Sequence, residues 1–291
     1  MFSLFSHLHP DLPACLAGQQ NFSPADYIPW WYAQQLMGWL PPARAQWLQQ
    51  HFTQDFLPDR DGLCCTATNR IQLNALLQRV ALALYEVGSI RHWRAETQTV
   101  RSSSGVACGE LERSAFRPLG LTSQAIHLNA YTANGEFWIG RRAAHKPSEP
   151  NRLDTLVAGG MQEGESAWQT LRRESVEEAG LQAEILANVQ FAGIGLCQCA
   201  VKDGLHRETV FIFDVCVPED WRPSNQDGEV AAFYLYRPNQ IIEAVLAGEF
   251  GKDAGLITLD CLYRHQVAKT SVSSFCWQGE ASPLALAVLG E

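Results

Sequence analysis

The stretch Gly159-Gly160-Met161-Gln162-Glu163-Gly164-Glu165-Ser166-Ala167-Trp168-Gln169-Thr170-Leu171-Arg172-Arg173-Glu174-Ser175-Val176-Glu177-Glu178-Ala179-Gly180-Leu181 decides how the chain is read. Its second half predicts a helix. Ser166 and Gln169 are spaced for a capping box, in which each side chain satisfies an amide left open at the helix start. Gly180 tolerates the left-handed conformation that ends a helix. Between these caps Ala167, Trp168, Leu171, Ser175 and Ala179 share one stripe. Glu174, Glu177 and Glu178 lie beside that stripe, one turn apart, so their carboxylates share a face. A solvated acidic face is the ordinary reading of such a triplet. It fits poorly at a helix C-terminus, where the macrodipole is already negative. It also leaves the glycine-rich entry, Glu165, and an Arg173 placed to pair with Glu177 without a role. Oxygen donors gathered on one face suit a hard divalent cation, Mg2+ or Mn2+.

These residues resemble the Nudix box, G-x5-E-x7-R-E-U-x-E-E-x-G-U, where U is a bulky aliphatic residue. Gly159, Glu165, Arg173, Glu174, Glu177, Glu178, Gly180 and Leu181 match in register. Ser175 departs from the pattern at the first U, and a hydroxyl there is expected to bond the carbonyl four residues back. The resemblance implies a metal-dependent hydrolase of diphosphates. Glu174 and Glu178 would be the metal ligands, with Glu177 and Gly159 completing the set. Glu177 could instead serve as base, and Arg173 would orient a glutamate rather than touch substrate. Such enzymes often place the base outside the box, which makes Glu229, in Asp227-Gly228-Glu229-Val230, a second candidate for that role.

The likeness extends further along the chain. Glu112 to Gly120, Ile126 to Tyr131, Trp138 to Arg142, Lys146-Pro147, Leu153 to Gly160 and Asn225 to Val230 are similar to the Nudix subfamily called thiamin pyrophosphokinase-related. That resemblance implies a diphosphatase for thiamin diphosphate, or for its oxo- and oxy-analogues, releasing the monophosphate and phosphate. It does not imply a kinase, because the chain lacks the G-x-x-x-x-G-K-[ST] loop of an ATP site. A nucleoside diphosphate derivative such as ADP-ribose is the alternative substrate. A non-catalytic binding module ranks last, since all four glutamates of the box are present.

The fold expected around this helix is an α/β/α sandwich with a mixed sheet over residues 111–270. A smaller α-rich domain would precede it (1–110) and a tail would follow (271–291). In the first part, Pro42 to Phe52 reads as a helix, and so does Asn69 to Val87, capped by Asn69 and stopped at Gly88. Trp30, Trp31, Trp39 and Trp47 read as packing, or as a recognition surface for a flat ring. Ser102 to Gly109 has the composition of a connector. Beyond it, Gln124 to Thr132 alternates Ile126, Leu128 and Ala130 against His127, Asn129 and Tyr131, and Asn134-Gly135 signals a type I′ hairpin. Arg141, Arg142, His145 and Lys146 then crowd one loop; they would hold a phosphate or simply be solvated. Ala187 to Ala192, Glu208 to Val217 and Ala232 to Tyr236 read as further strands. Asn239 to Ala247 reads as a helix, and so does Asp253 to His265, capped by Asp253.

With 291 residues and 46% hydrophobic content, the chain has ample material for a buried core. A formal charge of −9 argues against a nucleic-acid surface. No apolar run approaches the roughly 20 residues a membrane span requires. Met1 to Pro10 shows no basic stretch ahead of an apolar one, and nine cysteines then suggest reduced thiols in a cytoplasm. Cys64-Cys65 and Cys197-x-Cys199 lack a second pair or a histidine cluster at ligand spacing, so buried thiols are expected rather than zinc. The expected partner is a small-molecule diphosphate, with a homodimer left open.

Overall fold

A computed structural model describes residues 2–59 and 61–269; the expected tail lies outside them. After a 3-10 segment (Phe2–His7), helix α1 covers Leu12–Gln19. Strands β1 (Ile28–Tyr32) and β2 (Gln35–Leu40) lead to helix α2 (Pro42–His51), then β3 (Phe56–Asp59), β4 (Gly62–Cys65) and helix α3 (Arg70–Glu86). Strands β5 (Thr97–Arg101) and β6 (Ala107–Glu112) form a hairpin. Both expected helices are present. Asn69 caps α3 by accepting from the Gln72 amide, and Leu73, Leu76, Leu77, Val80, Ala81 and Leu84 are all buried along it.

The helices of this part are joined by strands that the sequence reading did not mark. Four of its strands form a sheet in the order β2-β1-β4-β3. Trp30 and Trp31 belong to β1 and Trp39 to β2, where aromatic side chains suit a half-buried pleated surface. Trp30 is fully buried and donates to the Leu119 carbonyl at 2.9 Å. The expected connector is also part of the structure. Ser102 turns the β5–β6 hairpin by donating to the Val106 carbonyl, and Ala107 already begins β6.

The second part supplies β7 (Ser123–Thr132), β8 (Phe137–Arg142), β9 (Leu153–Asp154), β10 (Val157–Gly160), α4 (Ala167–Ala179) and α5 (Ala183–Leu186). It continues with β11 (Gln190–Val201), β12 (Gly204–Val217), β13 (Val230–Tyr236), α6 (Pro238–Leu246) and α7 (Lys252–Tyr263). The sheet runs β11-β12-β7-β8-β13, with β10 on β7 and β9 on β8. Only the β12–β7 pair is parallel, so the sheet is mixed. Residues Ala167, Leu171 and Ala179 of α4 pack with Ile126, Leu128, Phe211 and Phe213 on one face. Helices α6 and α7 cover the other, against Phe137, Ile139, Val210 and Ile212. This is the expected α/β/α sandwich.

The packing is less sequential than the chain. Phe5, Leu12 and Leu16 join the core beneath α6 and α7, whereas Trp30 to Leu121 gather a core of their own around α3. The first residues are thus built into the sandwich, and the chain leaves it to form the accessory unit and returns at β7.

Several local expectations change with this context. His127 and Asn129 are 5% and 2% exposed, because α7 covers the face that alternation marked as polar. There Asn129 donates to Asp214, which the buried Arg264 also binds. The β7–β8 turn is not type I′, which needs positive φ at both central residues. Only Gly135 is left-handed (φ 81°), following a turn in which its amide donates to Thr132. The strand expected from Ala187 starts at Gln190 and runs on to Val201, since Ala187 still closes α5 by donating to Ala183. Asp253 does not cap α7. Gly251 holds that position, and the Asp253 carboxylate is taken by His206. Among the described residues no helix is long and apolar enough to cross a membrane.

Candidate active site

Helix α4 is fixed at both ends. Ser166 Oγ accepts from the Gln169 amide at 3.2 Å and the Ser166 amide donates to Gln169 Oε1 at 2.8 Å, which completes the capping box. Gly180 ends the helix at φ 61°. The buried stripe is Ala167, Thr170, Leu171, Ser175 and Ala179, with Trp168 half-buried beside it. Ser175 is fully buried, but among the described residues its hydroxyl has no partner, so the expected bond to the preceding turn is not made.

That stripe turns Glu174 and Glu178 toward β10. The Ala158 amide donates to Glu178 Oε2 at 2.9 Å. Glu174 lies over Gly159, where an added Cβ would fall 2.1 Å from the glutamate carboxyl carbon. Only a residue without a side chain admits the carboxylate here. Glu177 is about half exposed, at 46%.

Arg173 ties the carboxylates together. Its Nε and Nη2 bind Glu165 at 2.8 and 2.9 Å, and its Nη1 binds Glu174 at 2.8 Å. The Glu177 pairing anticipated from spacing is present but longer, at 3.3 Å. Arg173 Nη2 also reaches the Gly160 carbonyl at 3.4 Å. Glu165 is therefore the anchor of Arg173, a role the spacing did not reveal. The Arg173 hydrogen bonds hold the Glu165 carboxyl down to about 2, assisted by the Gln162 amide and the Thr170 hydroxyl against the opposing effect of burial.

The electrostatics of the other two glutamates run the opposite way. Burial pushes the Glu174 carboxyl up, only partly offset by Arg173. Burial also pushes Glu178 up, and the neighbouring Glu174 charge adds to it. The three helix glutamates do not all approach within 4.8 Å of one another. Arg173 Nη1 lies between Glu174 and Glu177 and binds both. This donor set fits a divalent cation: hard oxygens on one face, two of them buried without enough positive charge, over a glycine cradle.

The loop cations are already engaged. Arg142 donates to Asp154 Oδ2 at 2.7 Å, and Arg141 donates to the Asn151 carbonyl while lying over the Tyr234 ring. Lys146 pairs with Glu229, and His145 is exposed. Glu229 stands close enough to push Glu174 up, and Lys146 close enough to draw Glu178 down. The structure thus brings Lys146 and Glu229 to the glutamates and leaves Arg141 outside, on the Tyr234 side. Asp154 was not singled out by sequence. It also faces His127, at 3.7 Å, and its charge acts on Glu178.

Eight described cysteines are free. Cys199 lies opposite His206 across β11 and β12, a proximity that spacing could not show. The cluster there, His206, Glu208 and Asp253, is internally paired through His206 and Asp253. In the cluster Asp214, Cys261 and His265, Arg264 neutralises Asp214.

A model of the NUDIX domain matches residues 121–256. Nudix hydrolase 24, chloroplastic, of Arabidopsis thaliana is 30% identical over 255 residues, covering 82% of this chain and 68% of that protein. The chain belongs to the Nudix hydrolase family. Nudix hydrolase 20, chloroplastic, from the same plant is 29% identical, covering 90% of this chain and 73% of its own length. Among solved structures, DR0079 from Deinococcus radiodurans is similar at 21% identity and a TM-score of 0.44, over 56% of this chain and 98% of that one. As a Nudix hydrolase the protein is a pyrophosphohydrolase, acting on diphosphate-containing small molecules with a divalent metal ion.

Proposed function

We propose that this Nudix hydrolase cleaves thiamin diphosphate, or its oxo- and oxy-analogues, to the monophosphate and phosphate, using Mg2+. The observation that carries the hydrolytic reading is the buried Glu174–Glu178 pair seated on Ala158 and Gly159. The choice of thiamin rests on the sequence likeness of the segments around the box. It gains support from an accessory unit that adjoins the catalytic loop, where the Glu163 amide donates to the Thr97 carbonyl at 2.9 Å.

Glu174 and Glu178 would hold the cation, with Glu177 and the Gly159 carbonyl completing its ligands. When bound, the cation neutralises the diphosphate oxygens and acidifies a water. The protein's own groups do the rest. Arg173 keeps Glu174 and Glu177 on the reacting side and removes Glu165 from competition by binding it at both oxygens. Glu229, on the Asp227–Glu229 turn, would accept the proton of the attacking water. Its carboxylate is positioned by Lys146 and by its own amide, which donates to Asp227 Oδ1 at 2.8 Å. Such positioning is worth more than basicity alone, because a general base must reach the proton first.

The test is phosphate release from thiamin diphosphate, its oxo- and oxy-forms, and ADP-ribose, each with Mg2+ or Mn2+. A preference for a thiamin form supports the proposal. A preference for ADP-ribose would retain the Nudix chemistry and move the substrate to the nucleotide class.

A further inference from the structure

The loop that carries Glu229 is fastened to the helix that carries the box glutamates. The Ser224 amide donates to the Ala179 carbonyl and the Gln226 amide to the Glu177 carbonyl, both at 2.9 Å. Carbonyls in the last turn of a helix have no partner within it, so these two amides complete the end of α4. The approach is close, since an added Cβ at Gly180 would fall 2.9 Å from the Ser224 carbonyl oxygen. At its other end the loop is held just past β8, where the Ala143 amide donates to the Glu229 carbonyl at 2.9 Å.

Between these anchors one side chain folds the loop. Asn225 is half-buried, whereas Ser224, Gln226, Asp227 and Gly228 are exposed. Its Nδ2 donates to the Val230 carbonyl at 2.7 Å. Its Oδ1 accepts from the Asp227 and Gly228 amides at 3.3 and 3.2 Å. The residues on both sides of Glu229 are thus bound to Asn225, Gly228 by its amide and Val230 by its carbonyl. With the loop closed in this way, Gly228 takes a left-handed φ of 83° and Asp227 Oδ1 accepts from the Glu229 amide at 2.8 Å. An asparagine presents a donor and an acceptor together, whereas an aspartate would offer acceptors only.

The bonds of the Asn225 side chain all stay within residues 225–230, so none of them ties the sandwich core together. What they fix is the backbone beneath one carboxylate. Lys146 holds the far end of that carboxylate by an ion pair. A general base must lie within hydrogen-bond reach of the proton it takes, and a misplacement of about 1 Å costs about 100-fold in rate. Because Gln226 is tied to Glu177, the loop also keeps its distance from the turn of α4 that carries the box glutamates.

We propose that Asn225 is the positioning residue for Glu229, holding the backbone on both sides of it so that its carboxylate meets the attacking water. This rests on the reading of Glu229 as the base given above. It adds the residue through which that base is set against α4.

The experiment measures phosphate release by the full-length protein with Mg2+, on the fastest substrate of the panel above. It compares wild type, Asn225→Ala, Asn225→Asp, Glu229→Gln and the double variant Asn225→Ala/Glu229→Gln. Glu229→Gln should lower kcat about 100-fold or more, the size of general-base catalysis. Asn225→Ala should lower kcat about 10–100-fold and leave KM and the Mg2+ concentration for half-activation within about threefold, because α4 keeps its glutamates. Asn225→Asp keeps the acceptor for two amides and loses the donor, so its kcat should fall between those of wild type and Asn225→Ala. In the double variant the alanine should cost no more than about threefold further, since a misplaced base and an absent one are equivalent. Hydrogen exchange without substrate gives a readout independent of turnover: the Glu229 amide should exchange faster in Asn225→Ala and as in wild type in Glu229→Gln. Circular dichroism checks folding, and Asn225→Asp carries each comparison should the alanine variant not fold. Unchanged amide exchange, a kcat within about threefold of wild type, or an equal loss from Asn225→Ala in both backgrounds would each overturn the positioning role. A Glu229→Gln enzyme with wild-type kcat would remove the base assignment, and this role of Asn225 with it, while phosphate release would leave the hydrolytic reading standing.

Discussion

The Glu174 carboxyl group occupies the space where a side chain at Gly159 would begin, 2.1 Å from the position of an added Cβ. Helix and strand approach so closely there that the proposed ligand set depends on a residue with no side chain. Gly159→Ala should therefore displace Glu174 or push β10 away from α4. A shift of about 1 Å at a reacting centre costs about 100-fold in rate. Steady-state phosphate release would show it, with circular dichroism confirming that the sheet survives. A Gly159→Ala enzyme with unchanged kcat would mean that Glu174 is not held in the geometry it needs for catalysis.

Glu178 is the more deeply buried of the two proposed ligands, and it tests the metal assignment. Glu178→Gln keeps the shape and the acceptor for the Ala158 amide while removing the charge. Turnover should fall by about 1000-fold even in saturating Mg2+, since charge stabilisation of this kind is worth several kcal/mol. Metal-free stability should hold or rise, because burial and Glu174 both disfavour a charged Glu178. Urea melts without metal, beside phosphate release with it, would separate the two effects.

Ser175 offers a stability test without catalytic consequence. Its hydroxyl is buried and unpaired in the stripe that packs α4 on the sheet. An unsatisfied buried hydroxyl costs about 1–3 kcal/mol. Ser175→Ala should accordingly raise the thermal midpoint by about 2–4 °C, the shift expected for about 1 kcal/mol in a chain of this size. Differential scanning calorimetry would detect it, and a lower midpoint would show that the hydroxyl has a partner in solution.

The His206–Asp253 pair beneath α7 makes stability depend on pH in two directions. Burial alone would lower His206, but the Asp253 charge and hydrogen bond outweigh it and raise the imidazole above 6.5. Burial would raise Asp253, yet His206 brings it down to about 2. The histidine contribution is complete below its unfolded value near 6.5 and is lost as pH rises through its folded value. The aspartate contribution is present above its unfolded value near 3.8 and is lost as pH falls toward 2. Removing His206 as Ala should cost about 3 kcal/mol between these limits, as for a broken buried pair, and less above and below them. Denaturant melts of both proteins at pH 3, 5.5 and 9 would give the difference profile. A flat profile would assign the pair no net role.

What could be read in the sequence was what local spacing encodes. The capping box, the glutamate face, the stop at Gly180 and the apolar face of α3 all follow from residues within one helix. The strands of the accessory unit escaped because each is only four to six residues long and their pairing is not local. His127 and Asn129 looked exposed because alternation cannot report that α7, over a hundred residues later, covers them. The seat of Arg113 over Gly160 could not be read either, because it exists only in three dimensions. The same packing changes how the accessory unit must be tested. Cutting the chain before about Arg101 would remove Phe5, Leu12 and Leu16 from the sandwich core, so point substitutions are the cleaner probe.

Arg173→Lys separates charge from geometry at the centre of the site. The arginine reaches Glu165 with two nitrogens and Glu174 with a third, an arrangement a single ammonium cannot reproduce. The substitution preserves charge, so long-range electrostatics stay nearly constant. Glu165 should lose its bidentate partner, and its carboxyl should rise from about 2 toward the ordinary range. Glu174 should in turn lose its tether, with a fall in kcat of about 10–100-fold, the size of one or two hydrogen bonds to charged groups. A carboxyl-directed NMR titration would follow Glu165 while phosphate release follows turnover. If Glu165 rises and kcat is unchanged, Arg173 serves the folded structure alone. If both change together, the arginine positions the ligand glutamates by holding Glu165 away from them and Glu174 in place.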